Sequence, residues 1–128
     1  MDFVIRSRVC FEPNADVFVD EGRDAVVVTV EAAGADPESL RVSIDDERHL
    51  LITGRRPRGD TRVGSFVQKE IAYGEFAKRV HLPVPVEYGD ASATFADGVL
   101  TIALRVAQTP YRPTERTEIR MVVKRIPV

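Results

Sequence analysis

Tryptophan is absent from these 128 residues, cysteine occurs once and histidine twice. A single thiol, Cys10, rules out an internal disulfide framework and suits a reducing cytoplasm. No apolar run approaches the length a membrane-crossing helix needs. The opening MDFVIRSRVCFEP lacks both the apolar core and the small-residue cleavage site of a signal peptide, so none is expected. Neither sign of charge dominates: 18 basic and 20 acidic residues leave a formal net charge of −2. A dedicated nucleic-acid binder usually carries a basic excess, and none is present. There is no internal repeat, Gly-rich phosphate loop, Ser/His/Asp arrangement or ligand-spaced His/Cys cluster, so the expectation is neither an enzyme nor a cofactor or metal protein. At 44% hydrophobic and 30% charged residues the composition is that of one globular domain.

What is abundant is period-two alternation, the signature of half-buried strands. In AVVVTVEAAG, Val26, Val28 and Val30 share one face and Val27, Thr29 and Glu31 the other. In LRVSIDD, Leu40, Val42 and Ile44 alternate with Arg41, Ser43 and Asp45. HLLITG follows the acidic turn, and EFAKRVHLP sets Phe76, Val80 and Leu82 opposite Ala77, Arg79 and His81. ASATFADGVLTIALRV reads as strand, turn, strand, with Asp97-Gly98 as a strong hairpin signal. ADVFVDEG supplies an earlier strand, and DPESL, with Asp36 as cap, is the one helical hint. These segments predict an all-β sandwich of the immunoglobulin-like kind.

Two stretches depart from the pattern. Arg55 to Tyr73 is too long for a tight hairpin loop, and its second half, SFVQKEI, has the makings of a separate strand. From Ala107 the chain is polar with two prolines, an extended tether that ends on Ile126-Pro127-Val128. Two branched apolar side chains held extended by a proline predict a tail that docks rather than frays. Other features read blandly. His49 and His81 fall on separate strands and are expected to be ordinary surface histidines; Asp45-Asp46-Glu47 is a turn; RRPR with Arg62 is a solvated loop; Cys10 is incidental.

Taken in order, these residues resemble the small heat-shock proteins, built around the α-crystallin domain. ATFADGVLTIAL is similar to the family's Ala-x-x-x-x-Gly-Val-Leu signature, here Ala93, Gly98, Val99 and Leu100. YGEFAKRVHLP resembles its Gly-x-Phe-x-Arg-x-x-x-Leu-Pro strand, and PNADVFVDEGRDAVVVTVEAAGADPESLRVSI its opening strands. The ending is similar to the Ile-x-Ile/Val anchor. Three departures stand out. Lys78 occupies the usual arginine position, keeping the charge of an inter-subunit contact but losing the planar fork. Val80 replaces an aromatic, and the arm before Glu12 is short.

The resemblance implies a division into a short arm (1–11), an α-crystallin domain (12–106) with a long strand-exchange loop, and a C-terminal extension (107–128). It implies an ATP-independent holdase that binds partly unfolded client proteins and works as a dimer-based oligomer, with no nucleic acid and no membrane span. The anchor would be Ile126, Pro127 and Val128, and its groove Leu40, Val42 and Ile44 facing Ala91 and Ala93. Ile119 and Met121 form a competing pair; the proline between branched residues makes Ile126/Val128 the better match. The exchange strand would be Ser65, Phe66, Val67, Gln68, Lys69 and Glu70, pairing with Ala15, Asp16, Val17, Phe18 and Val19 of a partner. The alternative is a p23-like co-chaperone or adaptor, or a structural assembly protein, on the same sandwich.

Overall fold

In a computed structural model, residues 9–45, 48–59, 62–108, 117–119 and 121–123 are described. Nine strands occur among them: β1 Ala15–Asp20, β2 Ala25–Glu31, β3 Arg41–Asp45, β4 His49–Arg56, β5 Gly74–His81, β6 Val86–Ala96, β7 Val99–Val106, β8 Thr117–Ile119 and β9 Met121–Val123. They form two sheets, a five-stranded one in the order β1-β2-β7-β6-β9 and a four-stranded one in the order β5-β4-β3-β8. Every pairing is antiparallel except that of β6 with β9, which is parallel.

Alternation places the core. Val26, Val28 and Val30 from β2 and Leu100, Ile102 and Leu104 from β7 turn inward, against Val42, Ile44, Leu50, Ile52, Phe76 and Val80 of the other sheet. Intervening residues face out, so a one-residue slip in any of these strands would expose its whole apolar set. Each fully buried Val, Leu, Ile or Phe contributes roughly 1.5–3 kcal/mol. The sandwich therefore rests on the residues that sequence alternation singles out. Asp36 caps a 3-10 turn, Pro37–Ser39, accepting the Glu38 N–H at 3.1 Å.

Turn chemistry closes the signature hairpin. Asp97 and Gly98 both have positive φ, 53° and 78°, as a two-residue turn matched to strand twist requires. A Cβ on Gly98 would lie 3.1 Å from the Ala33 Cβ, so the site demands glycine for space as well as for φ. One feature was not foreseen: β6 begins five residues before Ala91 and carries an irregularity between Glu87 and Ser92. Ser65–Glu70, expected to pair with a partner's strand, forms no strand within the single chain.

Candidate functional site

β3 and β6 lie in opposite sheets, each next to the terminal strand of its sheet, β8 and β9. Of the expected groove residues, Leu40, Val42, Ile44 and Ala93 are buried in the core, and Ala91 packs half-buried against it. The tail returns to these two strands. Backbone register pairs Thr117 with Ile44, Glu118 with Ser43 and Ile119 with Val42. Past residue 120 the chain crosses to the other sheet, where Met121, Val122 and Val123 pair with Ala93, Thr94 and Phe95. One short segment thus clasps both sheets. Ile119 is its buried anchor, 5% exposed. The Arg41 guanidinium approaches the Glu118 carboxylate at 3.9 Å, too far and too exposed to hold the segment by itself. Ile126, Pro127 and Val128 lie outside the described residues.

A second region is the open flank of the five-stranded sheet. β1 pairs with β2 and, among the described residues, with no other strand. Ala15 packs toward the core, while Val17, Phe18 and Val19 are exposed, Phe18 by 63%. The loop between β4 and β5 is equally bare, with Val63, Phe66, Val67 and Ile71 exposed. Cations stand over its aromatic faces: the Arg58 guanidinium 4.4 Å from the Phe66 ring centre, and the Lys69 ammonium 5.3 Å from that of Tyr73. Within the loop, the Gln68 amide donates to Glu70 at 2.9 Å. The predicted exchange strand and most of its predicted partner strand are thus exposed within one chain.

Lys78 is on β5, the edge of the four-stranded sheet. Its ammonium meets the Glu12 carboxylate at 2.8 Å. The segment before β1 runs along this edge: the Cys10 N–H donates to the Glu75 carbonyl at 2.8 Å, and Phe11 stacks on Phe76 with ring centres 5.4 Å apart. Arg56 covers the other side of Phe11 at 4.6 Å. The signature residues have structural work, Gly98 in the turn and Leu100 and Ala93 in the core.

The two histidines are on separate strands of the outer surface, as expected, and they are in contact. Their strands are neighbours, and the β4–β5 register sets His49 directly opposite His81. His81 Nδ1 lies 3.0 Å from His49 Nε2, with ring centres 4.7 Å apart. Alternation places both on the outward face, but only strand order reveals that they touch.

A family model for the Hsp20/alpha crystallin family matches residues 19–122. A 19.0 kDa class II heat shock protein of Oryza sativa is 34% identical over 62% of this chain and 49% of its own length. The chain spans 42–60% of the length of that protein and three other plant relatives. Heat shock protein 16.0 from Schizosaccharomyces pombe superposes with a TM-score of 0.63 at 27% identity, over 82% of this chain and 98% of that one. A small heat-shock protein from Xylella fastidiosa, whose structure is described as having a distinct high order, gives 0.64 at 27% identity, over 84% and 98%.

Proposed function

Because the chain belongs to the Hsp20/alpha crystallin family, we propose that it is an ATP-independent holdase, binding partly unfolded cytoplasmic proteins as a dimer-based oligomer rather than catalysing a reaction. The observation that carries this reading is the unburied apolar surface on β1 and on the β4–β5 loop. An open strand edge beside exposed Val17, Phe18 and Val19 invites strand addition. Val63, Phe66, Val67 and Ile71 are costly to leave in water together, which suits a segment awaiting a partner. In the proposed dimer the loop of each subunit, through Ser65–Glu70, adds to β1 of the other, an isologous exchange.

In this reading residues 1–11 are a short arm, 12–106 the α-crystallin domain and 107–128 the assembly extension. Ile126, Pro127 and Val128 link dimers by entering a neighbour's groove in exchange with its resident Ile119. Two such side chains contribute on the order of 3–5 kcal/mol before the tether's ordering cost, giving contacts that exchange readily and gain strength in number. Lys78, held by Glu12 within the chain, becomes an interface charge only when that pair opens.

The test is a heat-aggregating enzyme followed by light scattering without ATP. Suppression that saturates with added protein is expected. Undiminished scattering at excess protein overturns the holdase and leaves the p23-like adaptor and the structural assembly protein as the remaining readings.

A further inference from the structure

We infer that His49 and His81 form a chelating site for a first-row divalent transition-metal ion, on the outer face of the β4–β5 ladder. The carrying observation is the 3.0 Å hydrogen-bond contact between His81 Nδ1 and His49 Nε2, which an ion replaces once the tautomers leave a lone pair on both nitrogens. Imidazole nitrogens bind such ions at about 2.0–2.1 Å, so two of them 3.0 Å apart subtend an angle of about 94° at a shared ion. That is the cis angle of tetragonal or octahedral geometry, which Cu2+ and Ni2+ favour. A tetrahedral ion needs the nitrogens about 3.3 Å apart and would have to spread the rings.

The spacing belongs to the scaffold. His49 opens β4 and His81 closes β5, in direct register. One residue further on, the Leu82 N–H donates to the Arg48 carbonyl at 2.6 Å, and the Arg48 guanidinium donates back to the Leu82 carbonyl at 3.3 Å. The ladder is therefore locked beyond the pair, and a ligand set on strands is held more tightly than one on loops. Asp45 pairs with His49 on the other side, which sets it on the same face. Among the described residues no group of three metal-ligating side chains forms. The pair also contains every histidine in the chain, so any imidazole-dependent binding arises here. An ion bridging β4 and β5 would staple the end of the ladder opposite the loop that joins them.

The experiment titrates Ni2+ into the untagged full chain by calorimetry, with His49→Gln, His81→Gln and Cys10→Ser variants. The parent and Cys10→Ser should bind one ion per chain, and each histidine variant at least about tenfold more weakly, since even outer-shell losses cost that much. Nitrogen NMR gives a second readout: Ni2+ should broaden both imidazoles of the parent together. No saturable binding, equal binding by the histidine variants, or binding lost with Cys10 would each overturn the site.

Discussion

Replacing Ile119 with alanine separates a docked tail from an integral strand. The side chain is 5% exposed and sits opposite Val42, in a segment that pairs through only three residues with β3 and three with β6. Each backbone bond contributes about 0.5–1.5 kcal/mol net, while each ordered residue costs about 1–2 kcal/mol. Backbone pairing therefore barely offsets ordering, and the anchor decides whether the segment stays. Alanine removes three carbons, worth about 2–3 kcal/mol at roughly 0.8 per methylene, and the undocked tail leaves no rigid cavity to add to that. The docked-to-undocked ratio should fall roughly 30- to 150-fold. Hydrogen exchange followed by mass spectrometry reads this directly. Peptides spanning β8 and β9 should lose protection by about that factor, while β2 and β7 keep theirs. Unchanged exchange in β8 and β9, or loss of protection across the whole sandwich in step, would refute the reasoning.

Gly54→Ala places a Cβ 2.5 Å from the Phe76 ring and 2.9 Å from Leu40, so overpacking of about 1–3 kcal/mol should lower the urea midpoint; an unaltered midpoint would contradict the close approach. Gly98→Ala combines a φ of +78° with contact on Ala33 and should cost at least about 1 kcal/mol in thermal unfolding. Lys78→Met breaks the 2.8 Å pair with the largely exposed Glu12 and should change unfolding stability by less than about 1 kcal/mol; a larger loss would mean that the pair is not merely a surface contact. Phe18→Asp on the open β1 edge should reduce native mass on a sizing column without lowering the melting temperature, and retained mass would place the interface elsewhere.

The strands that build the sandwich were legible because one face of each is buried. Val26, Val28 and Val30, or Leu40, Val42 and Ile44, announce their face by alternation alone. Asp97-Gly98 was legible because a two-residue turn with positive φ admits few residues. Lys78 shows where the pattern thins: it shares parity with buried Phe76 and Val80, yet it is tolerated at the sheet edge because Glu12 meets it. The His49–His81 contact was not legible, since it depends on which strands are neighbours and in what register, and neither is written into a local pattern. The tail was half legible. Its apolar pairs predict docking, but the choice between Ile119 and Ile126 depends on how the tether reaches the groove. Ser65–Glu70 forms no strand within one chain, and the proposed exchange would give it a ladder from a partner.

Native mass by light scattering on a sizing column, for the parent and for a Gly59–Glu70 deletion, tests the central claim that one chain is an incomplete unit. The parent should elute at twice the chain mass or a larger multiple, and the deletion as a folded monomer. A monomeric parent, or a deletion variant that still forms dimers, would contradict the exchange of the loop onto β1.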